Sequence, residues 1–107
     1  MRKKITKFRE YHLKKLTNSK EAQIYLEVAL EEFEKDRDKE TFLKALRDVA
    51  EARGGLSFLA ERTRLNRQNL YKALSSSGNP KLETIGMILR GLGFRLSVVT
   101  LPLESAS

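Results

Sequence analysis

The chain has 107 residues, contains no cysteine and carries a net charge of +7 at pH 7. This length fits a single domain with at most a short appended arm. A chain of this length is too short for a typical two-lobed enzyme. Without cysteine, disulfides and thiolate metal sites are excluded. No signal peptide and no apolar run near membrane-spanning length are evident, so the sequence predicts a soluble, cytoplasmic protein with no membrane partner.

The charge is distributed unevenly along the chain. Residues 1–20 carry eight Lys or Arg against one acid, and residues 54–107 carry seven bases against three acids. Residues 21–53 instead carry ten acids against six bases. The basic ends indicate an anionic partner, because a positive patch attracts phosphate at long range. The acidic middle is either a solvated helix face or a surface for a basic protein partner.

Residues 1–18 are predicted to form a basic N-terminal arm with a short helix that ends near Thr17. Apolar residues recur in this arm at Phe8, Tyr11, Leu13 and Leu16. His12 is the only histidine in the chain, and its lysine-rich surroundings favour a surface position. No His–acid catalytic pair, metal cluster, nucleophile elbow or phosphate-cradling loop is evident, so neither catalysis nor a cofactor is expected.

Two amphipathic helices are predicted next. Asn18 followed three residues later by Glu21 is typical of a helix start, and the helix would run from about 19 to 35. Asp38 is a good cap for a second helix, from roughly 39 to 52. The apolar stripes of these two helices contain Tyr25, Leu26, Ala29, Leu30, Phe33, Phe42, Leu43, Leu46, Val49 and Ala50.

Residues 55–80, GLSFLAERTRLNRQNLYKALSSSGNP, are the most informative stretch of the chain. They predict two short helices, capped by Ser57 and Asn66, with only residues 64–66 between them. Helices joined by so short a link must cross steeply, which is the geometry of a helix-turn-helix, here at 57–76.

The outer face of the second short helix would be polar. It would present donors and acceptors suited to base edges and phosphates, and no acidic residue occurs from Leu65 to Leu82. This pattern favours DNA binding. The alternative is an ordinary pair of amphipathic helices that uses its polar face for protein contacts or for solvation.

The C-terminal part is predicted to contain a turn, a helix and a strand. Residues 75–80 form the turn, since Pro80 forbids continuation of the preceding helix. A closing helix follows from Leu82 to Leu92. From residue 94 to 101 the apolar period changes to alternation, which predicts a β-strand.

A lone strand needs a partner for its backbone groups. The favoured partner is its own copy in a homodimer, with Phe94, Leu96 and Val98 at the dimer interface. The N-terminal segment around residues 5–8 is the competing partner.

The run LNRQNLYKALSSSGNP at 65–80, with FLKAL at 42–46, VAEARG at 49–54 and LGFRLS at 92–97, resembles a known family. The resemblance is to the addiction-module antidote proteins, which are HigA-like, prophage-type DNA-binding proteins of the phage-repressor helix-turn-helix class. It covers about residues 20–100. It implies a five-helix repressor-like domain, here at 19–93. With the residue patterns described above, the predicted fold class is mainly α, with an N-terminal helical extension and one C-terminal β-strand within 94–107.

The resemblance also implies roles for individual residues. By their position in the repressor pattern, the predicted DNA base contacts are Arg67, Gln68, Asn69 and Lys72. The predicted phosphate contacts are Ser57, Arg64, Asn66, Tyr71, Ser75, Ser76, Asn79 and Lys81. Tyr71 could equally be a packing residue, and Asn79 could equally be a turn residue.

Two residues depart from the family pattern. Many relatives have Gly where Arg64 stands, because the turn needs a positive φ, and many have Gln where Phe58 stands. The second departure puts one phosphate contact of the family in doubt.

The function implied is a sequence-specific DNA-binding transcriptional repressor that acts as the antitoxin of a toxin–antitoxin module and autoregulates its operon. Its partners would be an operator in double-stranded DNA, a second copy of itself, and a small basic toxin of the RelE/ParE type. The acidic helix at 19–35 is the candidate surface for the toxin. A prophage-derived regulator without a toxin, and a helical interaction module that does not bind DNA, are the alternatives.

Overall fold

The computed structural model describes the backbone of residues 2–102 and the side chains of residues 6–102. Six α-helices account for the regular secondary structure of this part of the chain. In chain order they are α1 (Arg2–Leu16), α2 (Ser19–Asp36), α3 (Lys39–Ala52), α4 (Gly55–Thr63), α5 (Arg67–Ala73) and α6 (Leu82–Leu92).

Three helix starts form where the sequence predicts them, each capped by a side chain. Asn18 Oδ1 accepts two backbone N–H bonds at 2.9 and 3.0 Å, and Asp38 Oδ1 accepts one at 3.1 Å. Asn66 Oδ1 accepts two, at 2.7 and 3.3 Å, from the first turn of α5. These oxygens satisfy amide groups that have no partner within the helix.

The predicted cap at Ser57 is wrong. α4 begins two residues earlier, at Gly55, and Ser57 is an exposed residue of its first turn. Gly54, at the end of the turn before α4, and Gly55, the first residue of α4, have φ of +119° and +85°. Only glycine adopts a positive φ without strain, so these two residues determine where α4 begins. No side-chain cap is present at this helix end.

The core lies around α3, which contacts α1, α2 and α4, while α4 contacts α5 and α6. Burial of one apolar stripe per helix is the main stabilising contribution. The buried apolar residues of the cluster are Leu16, Ala22, Leu26, Ala29, Phe42, Leu43, Ala45, Leu46, Val49, Ala50, Leu59, Leu70, Leu74, Ile88, Leu89 and Leu92.

A buried carboxylate, Asp48, ties α1 and α2 to α3. Asp48 Oδ2 accepts a hydrogen bond from the Tyr25 hydroxyl at 2.7 Å, and Oδ1 accepts one from Arg9 Nη2 at 3.1 Å. His12 Nε2 lies 3.6 Å from Oδ2, and its side chain is 31% exposed, so the predicted surface position is only partly matched. Burial of the ring, and secondly the bond to Asp48, raise the pKa of Tyr25 well above its ordinary value.

The predicted C-terminal strand is wrong. No strand forms anywhere in residues 2–102, so the fold there is all-helical and the predicted fold class, a mainly α domain with one strand, is overturned. A strand persists only when its backbone groups pair with another strand. The competing partner, the segment around residues 5–8, lies within α1, where the backbone bonds are internal to the helix.

The chain leaves α6 through Gly93, which has a φ of +97°. Phe94 then donates its N–H to the Leu89 carbonyl at 2.8 Å, and its ring packs against the core. Beyond Phe94 the segment runs over the surface, where the Val98 side chain is 94% exposed. The alternation of apolar residues in this segment therefore does not correspond to a sheet.

Candidate nucleic-acid interface

α4 and α5 are joined by Arg64, Leu65 and Asn66 alone, as predicted. Arg64 adopts φ +62° and ψ +15°, in the left-handed region, and its N–H donates to the Ala60 carbonyl at 2.8 Å. The prediction that this position needs a positive φ is confirmed. The left-handed residue ends α4 abruptly, so that α5 can begin within three residues and contact α4.

The link is held by a side chain that sequence reasoning missed. Thr63 Oγ1 donates to the Leu59 carbonyl at 2.8 Å and accepts the Leu65 N–H at 3.2 Å. These two bonds join the last turn of α4 to the residue that leads into α5. Threonine near a helix end often bonds to nearby backbone, but the sequence does not say to which groups.

The inner side of α5 is fixed to the rest of the fold. Leu70 and Leu74 are fully buried, together with Leu59 of α4. Arg47 of α3 donates a hydrogen bond from Nη1 to the Leu74 carbonyl, at the C-terminal end of α5. Sequence reasoning missed Arg47, because nothing local distinguishes it from the other arginines of the chain.

The outer side of α5 is polar and open. All four predicted base-contacting residues, Arg67, Gln68, Asn69 and Lys72, are exposed. Because α5 is anchored along its apolar side, these side chains stand on a rigid support. Their contacts with DNA stay predictions.

The predicted phosphate-contacting residues surround α5, and all are exposed except the half-buried Ser75. Ser57 lies in the first turn of α4, Arg64 in the link, and Lys81 directly before α6. Asn79 Oδ1 accepts a hydrogen bond from Lys39 Nζ at 2.9 Å, which gives it a structural role in the turn. Tyr71 is exposed and lines a cleft, and its phosphate contact stays a prediction.

Two clefts flank α5 and bring several of these residues together. A cleft of about 570 Å³ between α3 and α5 is lined by Arg67, Tyr71, Ser75 and Ser76. A groove of about 750 Å³ between α5 and the turn before α6 is lined by Asn69, Lys72, Ser75, Asn79 and Lys81. Ser57, Arg64, Asn66 and Gln68 line neither cleft.

Among the residues that the structure describes, no group of three or more His, Cys, Asp or Glu side chains is arranged to hold a metal ion. None of the six helices is both long enough and apolar enough to cross a membrane.

Comparison with known proteins decides the family. A model of the family described as "Probable addiction module antidote protein" matches residues 5–100. The chain belongs to this family. Membership indicates an antitoxin role in a toxin–antitoxin module, and hence a toxin partner of some kind.

One relative is a Haemophilus influenzae protein with the name "Uncharacterized protein". The two sequences are 37% identical over 83 residues, which is 78% of this chain and 80% of the relative. No solved structure gives a significant match.

Proposed function

We propose that this antitoxin is a sequence-specific DNA-binding transcriptional repressor, with α4 and α5 as its helix-turn-helix and α5 as the recognition helix. One observation carries the proposal. α5 is anchored through Leu70 and presents only neutral and basic polar side chains outward, in a stretch without acids from Leu65 to Leu82. A polar face of this kind, on a rigid support and without negative charge, suits the edges of bases between two rows of phosphates.

The exposed side chains suit two different kinds of contact, one with bases and one with phosphates. The Arg67 guanidinium can donate two parallel hydrogen bonds to a guanine, and the Gln68 amide can bond an adenine through both of its groups. Lys72 and Asn69, on the same exposed face, would read neighbouring bases. Residues in the two flanking clefts would bond phosphates, which sets the register of α5 in the major groove.

We also propose a homodimer, because a protein with a twofold axis can bind two half-sites of an operator at once. Two copies related by a twofold axis would place their α5 helices on half-sites about 34 Å apart. Leu96 and Val98 are exposed apolar side chains that a second copy could cover, while Phe94 supports the segment from the core side. Sedimentation of the full chain at micromolar concentration should show a dimer, and truncation after Gly93 should give a monomer; a full-length monomer would remove this part of the proposal.

A repressor that regulates its own operon should bind DNA from upstream of its own gene. A DNA fragment from upstream of the gene should be titrated with the protein at several salt concentrations, with unrelated DNA as the competitor. Arg67→Ala and Gln68→Ala should each weaken operator binding by about 1–3 kcal/mol and leave non-specific binding nearly unchanged. Matched controls are Lys35→Ala and Gln23→Ala, which remove the same charge and the same amide from α2.

Lys81→Ala should behave differently, because a phosphate contact carries no sequence information. It should weaken binding to all sequences similarly and lower the salt slope by about one. If Arg67→Ala discriminated the operator as well as the wild type, α5 would not be the recognition helix. If the protein gave no salt-dependent shift with any DNA, the helix pair would be a protein-interaction surface instead.

The toxin is proposed to be a small basic protein of the RelE/ParE type. The acidic residues of the central region support this choice, since they offer charge complementarity to such a partner. This choice is tested on the product of the neighbouring open reading frame, which should be a basic protein that arrests growth when it is expressed alone. An acidic product, or one that does not arrest growth, would refute the choice.

A further inference from the structure

A cleft of about 480 Å³ lies between α2, the C-terminal half of α6 and the segment at 94–99. Its floor is apolar, and the segment at 94–99 forms the wall that faces α2. The floor residues are Leu26, Leu30, Phe42, Leu89 and Phe94. The cleft is separate from the two clefts that flank α5, with which it shares no lining residue.

The α2 wall of the cleft carries three acidic side chains, Glu27, Glu31 and Glu34, here called the cleft carboxylates. Their spacing of four and three residues puts them on one face of α2. Among the described side chains, no basic group lies within 4.0 Å of any of them. Like charges at this spacing repel each other, so the row is destabilising for the isolated chain and becomes favourable when a cation binds.

The cleft therefore contrasts with the rest of the molecule. The chain has a net charge of +7, yet this wall is negative, with Arg95 as the single basic residue lining the cleft among the described residues. An apolar side chain is also exposed at the cleft: Val99, on the wall opposite α2, is 87% exposed. A surface that combines an apolar floor with an unpaired row of one charge fits an amphipathic ligand of the opposite charge.

We propose that this cleft binds a basic amphipathic segment of the toxin. Apolar side chains of the segment lie on the floor, and its lysines and arginines face the cleft carboxylates. The carboxylate row and Gln23 span about 16 Å of α2, so the segment needs a length of about three helical turns. The assignment rests on the antitoxin role for the identity of the partner, and it is independent of DNA binding by α5.

A designed helical peptide of leucine and lysine, three to four turns long, is the probe. Titrated against the full chain and followed by fluorescence anisotropy, it should bind despite the net positive charge of both molecules. A leucine–glutamate peptide of the same length should not bind, and a serine–lysine peptide should bind weakly because it lacks apolar contacts. Backbone amide chemical shifts should change along α2 and residues 94–99.

Two triple variants separate local from overall charge. The cleft variant changes all three cleft carboxylates to glutamine, and the control variant carries Glu10→Gln, Glu32→Gln and Glu40→Gln, which removes equal charge outside the cleft. The cleft variant should bind the leucine–lysine peptide roughly tenfold more weakly, since exposed ion pairs are individually modest but three are lost. The control variant should bind it within about twofold of the wild type. Equal loss in both variants, or shifts centred on α5, would overturn the proposal.

Two further measurements assign the partner. The product of the adjacent open reading frame should co-purify with the wild type and the control variant but not with the cleft variant. Co-purification with all three proteins, or with none, would overturn the assignment of the cleft to the toxin, and concentration-dependent self-association lost only in the cleft variant would assign it to a second copy. Operator binding should survive in the cleft variant, so a failure of DNA binding by the wild type would refute the repressor role alone.

Discussion

A methyl group added at Gly91 should destabilise the fold, because α6 crosses α4 very closely at this residue. A Cβ at Gly91 would lie 2.6 Å from Thr63 Cγ2 and 2.7 Å from Leu59 Cδ1. Both distances are about 1 Å shorter than a favourable carbon–carbon contact. Neither neighbour can move freely: Leu59 is fully buried, and rotation of Thr63 would break its two bonds that hold the link to α5.

The magnitude follows from two opposing effects. Replacing glycine by alanine within a helix stabilises it by about 0.5–1 kcal/mol. Overpacking a well-filled contact costs about 1–3 kcal/mol. Gly86 provides the matched control on the same helix, since the nearest atom to its added Cβ is Leu96 Cδ1 at 3.6 Å, an ordinary contact. Gly86→Ala should therefore be stabilising, and Gly91→Ala should lie about 1–3 kcal/mol below it.

Urea unfolding followed by circular dichroism measures both variants. The free energies of unfolding of the two variants can be compared when both depend on urea concentration with the same slope. An equal slope shows that the same amount of surface is exposed on unfolding. If Gly91→Ala were as stable as Gly86→Ala, α6 would not cross α4 at this distance. The inference that close packing of α6 against α4 holds α4, and through it α5, in place would then be wrong.

Three further variants test the buried carboxylate and the left-handed turn. Asp48→Ala should lower the free energy of unfolding in urea by about 2–3 kcal/mol, a value below that for a fully buried ion pair because Arg9 is partly exposed; Glu32→Ala, an exposed control, should change it little. The pKa of Tyr25 is raised in the folded state, so its stabilising contribution is complete below pH of about 10 and is lost as pH rises towards the folded value. Stability of the wild type should accordingly fall more steeply above pH of about 10 than that of Tyr25→Phe, and parallel curves would show that folding does not raise the pKa of Tyr25. Arg64→Gly relieves a positive φ but frees the unfolded chain, so stability should change by less than about 1 kcal/mol; non-specific DNA affinity should fall, and unchanged affinity would remove this residue from the phosphate contacts.

The helices and most of their ends could be predicted from the sequence because their causes are local. Asn18, Asp38 and Asn66 cap the helices predicted to follow them, through oxygens that reach amides two or three residues away. The apolar period of 3.6 residues identified the buried stripes of α2, α3 and α6. The need for a left-handed residue at position 64 was implied by the family resemblance, because many relatives have glycine there.

Ser57 and the C-terminal strand show where local reasoning fails. Serine is a common helix cap, but two consecutive glycines with positive φ let the chain enter α4 earlier. The alternation at 94–101 has the period of a strand, but the side chain of Phe94 is held by the core and the segment has no strand partner among residues 2–102. A strand depends on a second piece of backbone, which a pattern within one segment cannot supply.

The tertiary structure alone decided which distant residues meet. Asp48 is bonded by side chains 39 and 23 residues away in sequence, and Arg47 reaches a carbonyl 27 residues away. The close approach at Gly91 and the cleft beside the cleft carboxylates likewise arise between helices that are far apart in the chain. The sequence by itself determined the local elements and the polar face of α5, because hydrogen bonds within a few residues define them. The arrangement of these elements depends on how complete helix faces fill a common core, which no single segment contains.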